Sequence, residues 1–522
     1  MKLNKKSTLF VLPLTALLAA CGGSPAGASS ATGLSSSAAS QPSVAPSSEA
    51  ESTSVSPSSS VLSSDAEFPD NIEVDFWSTG SQGMTTQLQL IAEDFEAKVK
   101  EATGKTVHVN VTVEGSYDTI ADKINKGLSV GNVPTMAVAY PDTVANILNQ
   151  EAGKPYLFDI TPYMSDPQIG FGKQSYLGDK TAYNKRDIVG SFLDEGTHYA
   201  REGMFSFPFM KSSEVMFYNV DDVERAYQFY KPNVLGKDNI RADLNEMDWD
   251  EFENLLGVVA KHKAEILNTL QTSCWYDSHS NWIITQMEQR GIPYTSIKDG
   301  KGSIDFKDGE ARTKVEDMVT HFKSLYEGGL ITTKGIENTY GSNAFTNGEV
   351  LFEIGSSGGT GYNMPEGVDA SKIGVVTIPA ANGNKKYVSQ GPTITFLRNP
   401  TLKDAENEAK MFYAWQFTKY LTNPETNVRL CIRGSEGYIP IRYSAYEDAN
   451  FQEFLEDDTL TAASSKVLIN EIQSDYYTNA VFPGSAQLRD NMGGVIPYVL
   501  KGEKTARQAI QDAIDNASTY MK

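Results

Sequence analysis

The sequence predicts an α/β fold of two or more lobes, and three observations lead there. Strand-like and helix-like patterns alternate without a break from Ile72 to Tyr140. Further on, the stretch FPFMKSSEVMFYNV (207–220) passes from a Phe-Pro-Phe turn through Lys211, Ser212 and Ser213 into Val215-Met216-Phe217-Tyr218. Apolar β-formers without clean alternation predict a strand buried on both faces, and the hydroxyls ahead of it stand at the strand's mouth. Finally, the ~455 residues from Phe68 onward are enough for two or more domains with substantial cores.

The first lobe can be justified element by element. Ile72-Glu73-Val74-Asp75-Phe76-Trp77 alternates like a strand and breaks at Ser78-Thr79-Gly80. Leu88, Ile91, Ala92, Phe95 and Val99 then mark one face of a helix that stops at Gly104. Val107–Val113 is strand-like, Gly115-Ser116-Tyr117-Asp118 turns into a helix striped by Ile120, Ile124 and Leu128, and 134–140 is a third apolar strand. Strand, helix, strand, helix, strand implies a mostly parallel sheet. In such a sheet ligands bind at the carboxyl ends of strands, here near Trp77-Ser78, Tyr117 and Tyr140-Pro141-Asp142.

A second lobe begins with the 207–220 segment. Asp248-Trp249-Asp250-Glu251 predicts an N-cap with Glu at N3, a capping box, before a helix striped by Phe252, Leu255 and Val259. Trp275, His279 and Trp282 cluster ahead of further helix. Val350–Ile354 is a strand running into the loop Gly355-Ser356-Ser357-Gly358-Gly359, and 387–397 is a strand with a Gly-Pro break at Gly391-Pro392. Ala414, Phe417 and Leu421 stripe a helix stopped by Asn423-Pro424, and Thr505 with Gln508 caps the last one.

Ahead of these lobes, Lys2, Lys5 and Lys6 precede an apolar run, Leu9–Ala20, that is too short to span a bilayer. Leu18-Ala19-Ala20-Cys21-Gly22 looks like the lipobox of bacterial lipoproteins, which implies cleavage of residues 1–20 and a lipid on Cys21. Residues 21–67 are rich in Ser, Ala and Pro and lack aromatic residues. Such a composition buries too little apolar surface to offset ordering entropy, so it is expected to act as a disordered tether with a span of roughly 35–40 Å. The formal charge of −21 argues against nucleic acid and against a basic membrane-binding patch. Beyond Cys21 only Cys274 and Cys431 remain, either as two isolated buried thiols or as one bridge.

Catalytic signatures are weak. Gly355-x-Ser357-x-Gly359 has the form of a hydrolase nucleophile elbow, but that fold needs a later histidine and the last one is His321. Cys274 and His279 lack an evident orienting partner. There is no HExxH, P-loop, dinucleotide or EF-hand motif. A glycosidase built on paired carboxylates remains a weak alternative.

The motifs FW-S near Trp77, GSY at Tyr117, GNVP at 131–134, PFMKSSEVMFYN, WDEF, NGE followed by SSGG, EGYIPI around Tyr438, and AQLR with KGEKTARQAI keep an order and spacing that span Ile72 to Ala517. In this the chain resembles the extracellular solute-binding proteins of ABC importers, within them the glycerol-3-phosphate-binding branch. The resemblance implies a periplasmic-binding-protein-like fold of two α/β lobes, joined by a multi-strand hinge and closing over one ligand. The glycerol-3-phosphate contacts fall on Tyr117, Ser212, Ser356, Gly391, Tyr438 and Arg489. That set suits a phosphate: a guanidinium fork, hydroxyl donors and a closely approaching backbone. The family's acidic residue for the glycerol hydroxyls falls at Pro141, with Asp142 beside it. One pocket tryptophan is replaced by His279, Trp282 keeps the other, and Trp77 adds an aromatic surface.

The expected protein is thus a lipid-anchored, monomeric receptor on the outer face of the bacterial cell membrane, without catalysis, cofactor or metal. It would deliver glycerol-3-phosphate, a glycerophosphodiester or a sugar to an ABC permease. Its lobes are expected to be discontinuous, 68–212 with 391–440 and 213–390 with 441–522. A binder of neutral oligosaccharides is the alternative on the same scaffold.

Overall fold

The structure, a computed structural model, describes residues 68–150, 155–167, 169–171, 185–434, 437–472 and 474–521. The signal segment, Cys21 and the tether lie outside the described residues.

Two five-stranded sheets organise the two lobes. The first has the order Thr106–Val113, Asn71–Ser78, Met136–Ala139, Thr393–Phe396, Ser206–Pro208. Its first three strands are parallel, and Thr393–Phe396 is antiparallel to both its neighbours. The alternation in Asn71–Ser78 works as expected: Ile72, Val74 and Phe76 are buried while Glu73 and Asp75 face outward. The helix Gln82–Thr103 starts where the Ser81 hydroxyl accepts the Met84 N–H at 3.2 Å, and it ends at Gly104 with φ +74°. Leu88, Ile91, Ala92, Phe95 and Val99 form its buried face.

The second sheet has the order Ile373–Thr377, Glu214–Asn219, Val350–Ser356, Thr272–Tyr276, Ile331–Thr333. Glu214–Asn219 is flanked by antiparallel partners on both sides and is buried from Glu214 to Tyr218. This is the doubly covered strand that the apolar run predicts. Val350–Ser356, Thr272–Tyr276 and Ile331–Thr333 are mutually parallel, so their carboxyl ends open on one side.

Three expectations need correction. The single strand over 387–397 is two: Tyr387–Val388 pairs with Tyr476–Tyr477, whereas Thr393–Phe396 belongs to the first sheet. Gly391 sits at the break with φ +99°, and a Cβ there would lie 2.5 Å from the Met210 carbonyl oxygen, so only glycine lets the two passes touch. The helix Trp249–Lys261 has its Asp248 N-cap but no reciprocal bond, because Lys231 draws the Glu251 carboxylate away at 2.5 Å. The helix Asp404–Leu421 is no simple amphipathic stripe. It is buried on every side from Met411 to Leu421, and Trp415 donates to the Ile169 carbonyl at 3.2 Å. The last helix, Ala506–Ser518, does carry its capping box on Thr505 and Gln508.

Between the sheets, several passes of chain run side by side. Lys211 exchanges backbone hydrogen bonds with Ile439, and Ser212 does so with Gln390. The Ser213 hydroxyl donates to the Val388 carbonyl at 2.8 Å. This multi-strand connection is the hinge of a two-lobed fold.

Candidate functional site

The carboxyl ends of the second sheet frame a cleft of about 670 Å³, counting its open mouth. Its wall includes Glu214, Asp277, Glu353, Ser356, Asn363 and Gln390. Ser356 ends its strand and caps the following turn, where its hydroxyl accepts the Gly358 N–H at 3.2 Å. Tyr438, arriving from the hinge, lies against Gly358, where a Cβ would stand 3.0 Å from its ring.

A buried polar chain leads away from this cleft. Glu214 accepts the Tyr276 hydroxyl at 2.6 Å and the Asn281 amide at 2.9 Å. The Asn281 oxygen in turn accepts from Arg489 Nη2. Arg489 and Ser485 are one turn apart on the helix Ser485–Leu500 and so share a face. Ser485 donates to Asp142 at 2.9 Å, reaching the first sheet's lobe. Asp142 heads the helix Pro141–Gln150 and is 4 % exposed.

Electrostatics follow from burial. Glu214 loses nearly all solvent, which pushes its carboxyl up to about 7 despite the hydrogen bonds from Tyr276 and Asn281 and the charge of Arg489. Burial also raises Asp142 well above the carboxylate range, against the Ser485 hydrogen bond and Arg489. In the pair Asp277 and Glu353, burial raises both, and the Asp277 charge raises Glu353 further. His279 is held neutral, lowered by burial to about 4, with Nδ1 3.1 Å from the Thr333 hydroxyl.

Other residues expected at the site are spread around this core. Tyr117 opens the helix Tyr117–Gly127 and packs on Tyr140 with ring centroids 4.4 Å apart. Trp77 is the next-to-last residue of the strand Asn71–Ser78, with Lys123 5.9 Å from its ring centroid. Ser212 and Gly391 lie in the hinge, and Ser212 is fully buried with no partner for its hydroxyl. Trp282 is 3 % exposed and packs edge-on against Phe322 at 4.7 Å. Ser356 alone of these ten borders the cleft directly. Glu214, Asn281, Asp277, Glu353 and Gln390 were not singled out from the sequence. The signal available was an acid inside an apolar strand, Glu214 within SSEVMFY.

The two hydrolase candidates have structural duties. Ser357 Oγ donates to the Gly437 carbonyl at 2.9 Å and ties the loop to the hinge. Cys274 and Cys431 form no disulfide and both are buried, and burial raises each thiol well above the usual value. Among the described residues no group of three or more His, Cys, Asp or Glu is arranged to hold a metal ion, and no helix is long and apolar enough to cross a membrane.

Two α/β lobes, a multi-strand hinge and a polar cleft at strand ends define a periplasmic-binding-protein-like molecule. Residues 91–460 match the sequence model of the bacterial extracellular solute-binding proteins, and the chain belongs to that family. It is 22 % identical over 456 residues to the sn-glycerol-3-phosphate-binding periplasmic protein UgpB of Rhizobium meliloti, covering 85 % of this chain and 93 % of that one. Among solved structures it resembles UgpB of Mycobacterium tuberculosis in complex with glycerophosphocholine, with a TM-score of 0.58 and 15 % identity over 86 % of this chain and 98 % of the other. It equally resembles the sugar-binding protein MalE of Xanthomonas citri, with a TM-score of 0.62 and 14 % identity over 86 % and 97 %. The family is one of solute-binding proteins, which places the chain among binding proteins that act outside the cytoplasmic membrane.

Proposed function

We propose that the chain is a lipid-anchored receptor that captures glycerol-3-phosphate or a glycerophosphodiester and hands it to an ABC permease as its lobes close. The observation that carries this reading is Arg489, a 6 % exposed guanidinium whose Nε has no hydrogen-bond partner. A buried donor without an acceptor is costly, and a phosphate oxygen would fill that need. Ser212 Oγ, another buried hydroxyl without a partner, would add a second donor. Both are positions where the resemblance lays the phosphate. The likeness to glycerol-3-phosphate-binding relatives supports the same choice.

The lobes are taken as 68–212 with 391–440 and 213–390 with 441–522. In support, Thr393–Phe396 joins the sheet of Asn71–Ser78, and the helix Leu460–Val467 packs on Ile373–Thr377. A ligand that binds well only between closed lobes biases the open–closed equilibrium toward closure. A neutral oligosaccharide is the second reading, favoured by the carboxylates of the cleft, which accept hydroxyls.

Calorimetric titration separates the two. Wild type is expected to bind glycerol-3-phosphate, and Arg489→Ala to lose on the order of 2–5 kcal/mol of that affinity. Arg489→Lys should recover only part, since it keeps the charge but not the fork. Tight binding of maltotetraose with no binding of any phosphate ester would overturn the phosphate reading.

A further inference from the structure

Tyr294 lies between the helix His279–Gln289 and the strand Thr295–Lys298, which forms a hairpin with Lys301–Ile304. It is 2 % exposed. Its ring stacks on Phe306 with centroids 5.4 Å apart, and its backbone carbonyl accepts the Asp305 N–H at 2.9 Å. Its hydroxyl has no hydrogen-bond partner. A buried phenol normally finds one, because a desolvated donor left unpaired is costly.

The chain on both sides of Tyr294 is tied to Arg489. On one side, Asn281 of the preceding helix accepts from Arg489 Nη2. On the other, Thr295 donates to the Ala480 carbonyl at 3.2 Å, and the hairpin packs so closely that a Cβ on Gly302 would collide with the Phe482 ring. Phe482 in turn accepts the backbone N–H of Ser485, which starts the helix carrying Arg489. From the facing lobe, Asp142 meets this unit through Ser485 at 2.9 Å. The charges that act on the Tyr294 hydroxyl are those of Arg489, Asp142 and Asp490.

Three of these groups have a buried atom without a hydrogen-bond partner: Tyr294 Oη, Arg489 Nε and Asp142 Oδ2. Packed against one another they would satisfy each other, since Arg489 and Tyr294 donate and Asp142 accepts. What they lack is a group between them. Arg489 has already given Nη2 to Asn281, so it offers a ligand less than its whole fork. An oxygen that meets Nε therefore wants a second donor from another residue. Burial holds the proton on the Tyr294 phenol, which keeps it a donor.

We infer that Tyr294 is a ligand-binding residue whose hydroxyl donates, beside Arg489, to an oxygen of the ligand. That the oxygen belongs to a phosphate rests on the phosphate reading above; the contact itself does not.

Tyr294→Phe keeps the ring on Phe306 and removes only the hydroxyl. Calorimetry on the full mature chain should show this variant binding glycerol-3-phosphate about 10–100-fold more weakly, as expected for a hydrogen bond to a charged group. Because the hydroxyl has no partner within the protein, the ligand-free melting temperature should hold or rise, whereas a structural hydroxyl would lower it. The double variant with Arg489→Ala should lose less affinity than the two single losses combined, since both residues grip one group. Tyr477→Phe is the control: its hydroxyl is already paired with Thr285 at 2.9 Å, so its removal should lower the melting temperature and leave affinity nearly unchanged. Unchanged affinity in Tyr294→Phe, beside a clear loss in Arg489→Ala, would overturn the contact and leave the phosphate reading intact. Wild type that binds maltotetraose and no phosphate ester would overturn the phosphate reading instead. In that case weaker maltotetraose binding by Tyr294→Phe would keep the contact, with a sugar oxygen as acceptor, and unchanged binding would overturn it too.

Discussion

Glu214 occupies the first position of a strand that continues Val, Met, Phe, Tyr and Asn, and it is 1 % exposed. An acid there is tolerated because Tyr276 and Asn281 donate to it, yet burial still lifts it to about 7. The direction of the pH effect follows. Below about pH 4.5 the carboxyl is protonated both folded and unfolded, and its contribution is neutral. Between about 4.5 and 7 the unfolded chain releases the proton while the folded one keeps it, so stability falls as pH rises through that window, by on the order of 3 kcal/mol. Glu214→Gln keeps both hydrogen bonds in reach and cannot ionise. Urea unfolding at pH 5 and pH 7.5 should show a smaller loss for the variant than for wild type; equal losses would place the titration elsewhere. The motif around this residue was visible in the sequence through its serines. Its role was not, because the desolvation of Glu214 comes from strands about 60 and 140 residues away that sequence spacing cannot bring together.

At the scale of elements, the hinge depends on a buried charge pair. Lys211 is fully buried and its ammonium meets Glu195, which also accepts the Ser389 hydroxyl at 3.3 Å. Removing one partner of such a pair strands the other charge, at a cost of about 3–5 kcal/mol. Lys211→Ala is therefore expected to lower the melting temperature sharply, while the double variant Lys211→Met with Glu195→Leu recovers much of the loss. A single variant as stable as wild type would remove the pair from the account of the hinge. Elements with local signals were legible: the helix stripe ending at Gly104, the Ser116 cap and the Thr505 capping box are all set by neighbours in sequence. Those decided by distant partners were not. The run 387–397 reads as one strand until Tyr476–Tyr477 and Met136–Ala139 claim its two halves. Glu251 reads as a box partner until Lys231 reaches it.

For the molecule as a whole, the anchor and the closure are separate predictions. Cys21→Ala should leave the protein uncleaved or released from membranes, and a variant that is cleaved after Ala20 yet still recovered in the detergent phase would refute the lipid anchor. Closure depends on contacts between lobes, and Ser485 donating to Asp142 at 2.9 Å is a direct one. Asp142 Oδ2 has no hydrogen-bond partner, and the Ser485 hydroxyl together with the Arg489 charge compensates this buried carboxyl across the lobes. Ser485→Ala would withdraw that donor only in the closed form, because in an open form water would solvate Asp142. The closed form should lose about 1–3 kcal/mol relative to the open one, a shift of roughly 5–150-fold in their ratio. If the ligand is held only between closed lobes, the apparent affinity falls by the same factor wherever the closed population limits it. Small-angle scattering at saturating ligand should still show the compact form for Ser485→Ala, while more ligand is needed to reach it. An unchanged midpoint would mean that this contact does not set the open–closed balance. A variant that stays extended at saturation would mean that Ser485 is required for closure itself.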